Sequence, residues 1–361
     1  MLKNFDTTLS RGSTIGILGG GQLGRMTVLA AARLGFKCHI FTPEIDSPAA
    51  QVADRTTVAS FEDKTALKLF SDQVNVITYE FENIPIESAL FLQKLKPVHP
   101  DPSILAISQH RGAEKQFAID NAVEVAQYEL VSNQEEVHKA VSVIKPPFVL
   151  KTCRFGYDGK GQAKISHAAE IKKAWNRIST NDAIVEKLIP FEKEISVIVA
   201  RNIHGDLKAY PPMENRHENH ILDTTIAPAK ISDYTNSEAL KIGTTLAQAF
   251  NLVGLLAIEM FVLSNGNLLM NEMAPRPHNS GHWTQDGAVT CQFEQFVRAI
   301  TGHALGSTSI IYPTRMKNLI GSTVNEWARY LEVPNAKVHL YGKEDVKEGR
   351  RMGHVNFLKD L

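Results

Sequence analysis

The chain has 361 residues, more than one hydrophobic core usually serves, so two or three domains are expected. Thirty-nine basic residues balance thirty-nine acidic ones, which argues against nucleic acid or a membrane surface as the main partner and leaves small molecules. Cys38, Cys153 and Cys291 lack C-x-x-C spacing, which speaks against a disulfide framework or a structural zinc site, and no apolar run reaches the length of a membrane span, so a reducing, cytoplasmic setting is expected.

The leader from Met1 to Ser13 is polar and lacks the apolar segment of a secretory signal. Thr14 to Leu18 then forms a short apolar strand ending in Gly19-Gly20-Gly21-Gln22-Leu23-Gly24, after which Met26, Leu29, Ala30, Arg33 and Leu34 mark one face of a helix. Strands at Lys37 to Phe41 and Val74 to Tyr79, separated by helical patterns, predict a parallel α/β sheet with ligands at its C-terminal edge. Gly19-x-Gly21-x-x-Gly24 suits a phosphate-bearing substrate, a nicotinamide dinucleotide or a plain tight turn. Glu44 and Asp46 follow Pro43 in a loop-like stretch, which weakens the dinucleotide reading. The acids of Thr78-Tyr79-Glu80-Phe81-Glu82-Asn83 stand where the third strand ends, placed for ribose hydroxyls or simply for solvent.

A proline-marked stretch from Pro97 to Pro102 reads as a domain boundary, followed by a helical pattern carrying Arg111 and Lys115. Ala126 to Val131 reads as a strand, Gln134 to Val143 as a helix, and Phe148-Val149-Leu150 as a buried strand that delivers Lys151. The next run, Thr152-Cys153-Arg154-Phe155-Gly156-Tyr157-Asp158-Gly159-Lys160-Gly161-Gln162, interleaves glycines with two cations and an acid. Glycines let backbone N–H groups converge on phosphate oxygens, and a lysine on a rigid strand adds a point charge; an exposed turn with incidental glycines is the plain alternative. The stretch lacks G-x-x-x-x-G-K-[ST], and the kinase signatures H-R-D and D-F-G are missing, which disfavours those two phosphate-binding classes. Strand Ala183-Ile184-Val185 ends at Glu186-Lys187-Leu188-Ile189, with Glu194 a few residues on, and an acid followed by open backbone suits an adenine edge and ribose hydroxyls.

Strands from Glu194 to Asn202 and from Asp206 to Tyr210 lead into Met213 to His220, where His217 either contacts phosphate or bicarbonate or merely packs. Thr235-Asn236-Ser237-Glu238 reads as a capping box opening a helix whose core stripe is Ala239, Ile242, Leu246 and Phe250. Further on, Glu259 and Glu272 lie on two apolar runs joined by the turn Ser264-Asn265-Gly266-Asn267, a hairpin pattern that sets the two carboxylates side by side. Glu259 sits inside an apolar run, where an unpaired charge is costly, so a shared divalent cation is expected in preference to a solvated hairpin. The donor-rich stretch from Ala274 to His282 reads as a substrate loop.

Together these features resemble the ATP-grasp superfamily of carboxylate-amine ligases across nearly the whole chain. Within it, GGGQLGRM at Gly19 to Met26, TYEFENIP at Thr78 to Pro85, TCRFGYDGKGQ at Thr152 to Gln162 and NEMAPRPHNSGHWT at Asn271 to Thr284 are similar to the family of 5-(carboxyamino)imidazole ribonucleotide synthases, as is GRRMGHVN at Gly349 to Asn356. The resemblance implies an α/β and α+β architecture: a Rossmann-like parallel-sheet domain over residues 1–110, an ATP-grasp fold of two α+β subdomains over 111–305, and a small β-rich domain over 306–361 that closes the substrate site. It implies a ligase of purine biosynthesis that joins bicarbonate to the amine of 5-aminoimidazole ribonucleotide through carboxyphosphate, with ATP and magnesium, or manganese in its place, in a cytoplasmic homodimer.

By motif, Glu259 and Glu272 would hold the metal. Arg111, Lys151, the loop residues Gly156, Tyr157, Asp158, Gly159, Lys160, Gly161 and Gln162, the run Glu186, Lys187, Leu188 and Ile189, and Glu194, His217, Asn271 and Glu272 would bind ATP. Gln22 and Leu23 would give backbone contacts to the ribonucleotide, Glu82 would meet its ribose, and Arg276, Lys343, Arg350 and Arg351 its phosphate, with Arg154, Tyr157, Asp158, His278 and Asn279 lining the reacting centre. A relative acting on formate and glycinamide ribonucleotide would share the glycine turn, Glu82 and the basic C-terminus, but the glycine loop and the substrate loop favour the bicarbonate-using family. An oxidoreductase rests on Gly19 to Gly24 alone, and a non-catalytic scaffold would have lost ligands that are intact here. The turn before Glu272 is slightly long for the family, and the polar leader before Thr14 has no functional account.

Overall fold

A computed structural model describes residues 8–156 and 160–359. The chain opens as alternating strand and helix: β1 (Thr14–Leu18), α1 (Gln22–Arg33), β2 (Lys37–Thr42), β3 (Arg55–Val58), α2 (Lys64–Ser71), β4 (Val76–Tyr79) and α3 (Ile86–Gln93). The strands form a parallel sheet in the order β3-β2-β1-β4, so the loops after β1 and β4 meet at one edge, as the strand–glycine–helix pattern predicts. β3 was not expected, because Arg-Thr-Thr-Val is short, polar and only half buried at the sheet edge. Leu29 also departs from the predicted apolar face: it is 49% exposed, and the buried face of α1 runs instead through Leu23, Met26, Val28, Ala30 and Ala31.

Helices α4 (Pro102–Ser108) and α5 (Arg111–Asp120) lead into a small antiparallel sheet of β5 (Tyr128–Val131), β6 (Phe148–Thr152), β7 (Gln162–Ile165) and β8 (Ala183–Lys187), in the order β5-β8-β6-β7. Its core packs Val137 and Ala140 of α6 (Gln134–Val143) and Ile171, Ala174 and Ile178 of α7 (Ile171–Ile178) against Phe148, Leu150 and Val185.

The large sheet contains β9 (Lys193–Arg201), β10 (Leu207–Ala209), β11 (Met213–Glu218), β12 (Ile221–Ala227), β13 (Gly254–Val262), β14 (Leu268–Ala274), β15 (Thr314–Ile320), β16 (Ala336–Leu340) and β17 (Arg351–Leu358). Its order is β14-β13-β9-β11-β12-β15-β17-β16, with β10 pairing β9. The last three strands therefore extend the same antiparallel sheet through β12, and β17 lies against the segment 274–282, where Asn356 Nδ2 donates to the His282 carbonyl at 3.1 Å.

Helix α8 (Asp233–Ala249) covers β9 and β13 with Ala239, Leu246 and Ala247 fully buried. Its cap lies three residues before the expected box: the Ser232 hydroxyl accepts the Thr235 N–H at 3.1 Å, and Thr235 is itself buried within the first turn. Gly243 lets the helix lie close on the sheet, since a Cβ there would stand 2.9 Å from Val199. Among the described residues no helix is long and apolar enough to cross a membrane.

Candidate active site

The hairpin of β13 and β14 turns through Gly266, whose φ of +82° is open to glycine, and its register places Glu259 directly opposite Glu272. Burial first, and then the Glu272 charge, push the Glu259 carboxyl up to about 8, while His217 and Arg351 pull it down. Arg111 Nη1 stands 3.2 Å from Glu272 Oε2, and His278 Nε2 stands 3.4 Å from Glu259 Oε1. Two facing carboxylates, one of them reluctant to ionise beside the other, are the hard oxygen donors that magnesium or manganese takes. Metal uptake should therefore expel a proton. Below pH 8 the free protein holds a proton on Glu259 that the cation displaces, so affinity should rise with pH through neutrality, with about one proton released per ion in calorimetry across buffers of different ionisation enthalpy. Uptake without proton release at pH 7 would contradict this geometry.

Next to the pair lies a buried triad. Lys151 Nζ is 2.7 Å from Glu186 Oε2, and Lys115 Nζ is 3.4 Å from Glu186 Oε1. Burial alone would raise the Glu186 carboxyl, but Lys151 and then Lys115 hold it down at about 2. Lys115 also reaches the carbonyl of Asn271 at 3.4 Å, and Glu114 accepts the Met273 N–H, so one face of α5 grips both neighbours of Glu272. Neither Glu114 nor Lys115 was assigned from sequence. Their positions three and four residues after Arg111, on the same helical face, were the available signal.

Beyond its 3.4 Å ion pair with Lys115, Glu186 Oε1 takes no hydrogen bond among the described residues. In the run that follows, the Lys187 ammonium turns to the carbonyl of Lys145 at 2.7 Å, and the N–H groups of Lys187 and Leu188 go to Gln127 and Pro147, so of the three N–H groups from Lys187 to Ile189 only that of Ile189 lacks an acceptor among the described residues. Glu194 Oε2 lies 2.6 Å from His217 Nδ1; burial would lower this imidazole, and Glu194 raises it.

The glycine loop springs from β6 beside Lys151. Arg111 Nη2 donates to the carbonyl of Gly156 at 3.5 Å, Thr152 N–H bonds the Gly161 carbonyl at 2.8 Å, and Gln162 pairs with Lys151 in the ladder. Lys160 and Arg154 are exposed, and Arg154 makes no side-chain hydrogen bond among the described residues. Tyr157, Asp158 and Gly159 lie outside the described residues.

At the start of α1 the structure departs from the dinucleotide pattern. Glu80 accepts the N–H of Gly21 at 2.7 Å and that of Gly24 at 3.3 Å, and a Cβ on Gly21 would stand 2.5 Å from Glu80 Oε1. A carboxylate already caps this helix, where a nicotinamide pyrophosphate would have to bind. The N–H groups of Gln22 and Leu23 have no acceptor among the described residues and remain for a ligand. Glu80, expected with its neighbours to meet ribose hydroxyls or solvent, is instead buried against this helix start, with its partners 56 and 59 residues away.

Glu82 Oε2 meets Arg276 Nε at 2.5 Å; burial would raise the Glu82 carboxyl, but Arg276 holds it down at about 2. Lys343 donates to the Arg351 carbonyl at 2.8 Å, and burial, followed by the Arg350 charge, lowers its ammonium to about 8. Arg350 is turned to the carbonyl of Asp345 at 3.0 Å, whereas Arg351 opens β17 close enough to influence both Glu259 and His278. Burial, then Arg276, drive the His278 imidazole down to about 3, so it stands neutral. The Asn279 amide is engaged reciprocally with Asn318, at 3.1 and 2.6 Å, and therefore holds the substrate loop against β15 instead of standing free in the cleft.

Residues 12–109 match the ribonucleotide synthetase preATP-grasp domain, 116–293 the ATP-grasp domain, and 314–360 the phosphoribosylaminoimidazole carboxylase C-terminal domain. An N5-carboxyaminoimidazole ribonucleotide synthase of Brucella melitensis is 43% identical over 98% of this chain and 98% of its own. An ADP complex of an N5-carboxyaminoimidazole ribonucleotide synthetase superposes with a TM-score of 0.95 at 42% identity, covering 98% of this chain and 94% of that one. An Aspergillus clavatus N5-carboxyaminoimidazole synthase in complex with ADP and 5-aminoimidazole ribonucleotide superposes with a TM-score of 0.91 at 28% identity, covering 97% and 94%. With the carboxylate hairpin, the lysine-bearing strand and the capped glycine turn in one cleft, the chain belongs to the N5-carboxyaminoimidazole ribonucleotide synthases, ATP-grasp ligases of purine biosynthesis.

Proposed function

We propose that this ligase spends ATP to activate bicarbonate and carboxylates the amine of 5-aminoimidazole ribonucleotide. The observation that carries the reading is the register of β13 and β14, which sets Glu259 against Glu272 beside Arg111 and the Lys151–Glu186 pair. When bound there, a divalent cation would neutralise the β and γ phosphates. Arg111 and Lys151 would contact the phosphates, with Gly156 to Gln162 folded over them and Asn271 beneath. Glu186 Oε1 would accept the adenine amine with Lys187, Leu188 and Ile189 around the base, and Glu194 and His217 would hold the ribose.

Bicarbonate is a poor electrophile. One of its oxygens attacks the γ phosphorus, ADP leaves, and the resulting carboxyphosphate breaks its carbon–oxygen bond to give phosphate and carbon dioxide next to the waiting amine. Water must be kept out of this step, which is the role given to the glycine loop with Tyr157 and Asp158 and to His278 at the reacting centre. Asn279 supports that centre through Asn318. The ribonucleotide would lie along the N–H groups of Gln22 and Leu23, its ribose on Glu82 and its phosphate among Arg276, Lys343, Arg350 and Arg351. A cytoplasmic homodimer, with domain limits near residues 110 and 305, belongs to the same proposal.

The test is phosphate release by purified protein with magnesium, ATP and bicarbonate. Addition of 5-aminoimidazole ribonucleotide should raise the rate, and an unchanged rate would overturn the reading. Arg351→Ala should weaken ribonucleotide binding about tenfold or more and leave ATP binding within about twofold in separate titrations. Equal losses for both ligands would refute its placement.

A further inference from the structure

The ring of His278 is held by a chain of hydrogen bonds whose direction is fixed at the ring by a backbone donor. His278 Nδ1 accepts the backbone N–H of Ser280 at 3.3 Å, a donor with no choice of direction, and the Ser280 hydroxyl lies 2.8 Å from the same nitrogen. Ser196 Oγ donates to Ser280 Oγ at 2.8 Å, Asn215 Nδ2 donates to Ser196 Oγ at 2.9 Å, and Thr225 Oγ1 donates to Asn215 Oδ1 at 3.2 Å. Each hydroxyl has one proton to give, so the chain ends with Ser280 donating to His278 Nδ1. Ser280, Ser196 and Thr225 are fully buried and Asn215 is 4% exposed, so water does not compete along the chain.

The sheet register builds this line: Ser196 opposes Glu259, and Asn215 opposes both Glu194 and Thr225, so the relay crosses β9, β11 and β12 on the face that carries the acids. Backbone bonds pin the histidine as well, with its N–H on Gln292 Oε1 at 2.9 Å and its carbonyl taking Gln292 Nε2 at 2.8 Å.

We infer that Ser280, Ser196 and Asn215 are positioning residues that fix the Nε2–H tautomer of His278, so that His278 acts at the reacting centre as a neutral hydrogen-bond donor and not as the base. An imidazole whose Nδ1 accepts two hydrogen bonds carries its single proton on Nε2, the nitrogen that faces Glu259 and the cleft. That N–H suits the oxygens of bicarbonate and of carboxyphosphate, where charge builds up as the phosphate departs. His278 makes no covalent bond and moves no proton; the amine's proton goes to another acceptor. This role rests on the reading that His278 lines the reacting centre.

Two measurements test it. In protein labelled with 15N-histidine and saturated with magnesium and ADP, the His278 signals, identified by their loss in His278→Asn, should show an unprotonated Nδ1 and a protonated Nε2 at pH 7.5. The reverse tautomer or an imidazolium would overturn the inference, and this arm decides even if the carboxylation reading fails. In the kinetic arm, Ser196→Ala and Ser280→Ala should each lower the ribonucleotide-dependent kcat about tenfold with KM for ATP within about twofold, since a misaimed donor loses part of the 100-fold or more that one such donor supplies. His278→Gln, which keeps an N–H donor near the Nε2 position, should outperform His278→Glu, which offers only an acceptor. Higher activity in the glutamate variant, or a fall in kcat matched by an equal rise in KM for ATP, would refute it.

Discussion

Glutamine at position 272 should lower ATP turnover at least about 100-fold and change folding stability by less than about 1 kcal/mol. The amide keeps the shape of the side chain but removes a charged oxygen that the cation needs opposite Glu259. On the stability side two effects oppose each other. The variant loses the 3.2 Å contact with Arg111, which is worth little because the Glu272 side chain is 42% exposed, and it relieves the repulsion that helps push Glu259 up. Initial rates and urea unfolding in metal-free buffer read the two quantities independently. A variant that unfolds readily without metal, or one that turns over normally, would contradict this account of the pair.

Glu186→Gln should behave in the opposite way and cost stability heavily, roughly 3–5 kcal/mol, because it leaves Lys151 and Lys115 buried together without their shared carboxylate. Adding Lys115→Met should restore part of the loss by removing one stranded charge. The pH dependence follows from the sign of the shift. In the folded protein the Glu186 carboxyl titrates near 2, below its ordinary value of about 4.3, so the stabilisation is complete above that value and disappears as pH falls toward 2. The wild-type advantage over Glu186→Gln should therefore hold from neutrality to about pH 5 and shrink in acid. Urea midpoints at pH 7, 5 and 3 measure it, and a difference below about 1 kcal/mol at pH 7 would contradict the triad.

The sequence made the carboxylate hairpin legible because Asn265-Gly266 turns the chain locally and leaves Glu259 inside an apolar run; both clues lie within a few residues of the pair. The helix starting at Gln22 and the strands carrying Lys151 and Glu186 one residue before their ends were legible for the same reason, as short apolar runs bounded by glycine or charge. What escaped depends on distant pairings. Nothing near Glu80 announces that it will cap a helix 56 residues earlier, nothing near Ser196 announces Ser280, and β15 joins β12 across a separation that no local pattern encodes. Lys115 was passed over because a lysine on an amphipathic helix ordinarily faces water, whereas this one is 1% exposed. The cap of α8 was misplaced by three residues because Ser232 and Thr235 both suit an N-cap, and only the tertiary contact of Thr235 with the Gly266 carbonyl, at 3.0 Å, draws it into the first turn.

The carboxylate pair is expected to support ATP-driven activation of bicarbonate. This is tested most directly by a single-turnover reaction with freshly dissolved 18O-bicarbonate, ATP, magnesium and 5-aminoimidazole ribonucleotide, with mass analysis of the phosphate released. Attack of a bicarbonate oxygen on phosphorus predicts one 18O atom in each phosphate. Phosphate without 18O, its fourth oxygen drawn from solvent, would show that water and not bicarbonate had attacked ATP, and would contradict the account.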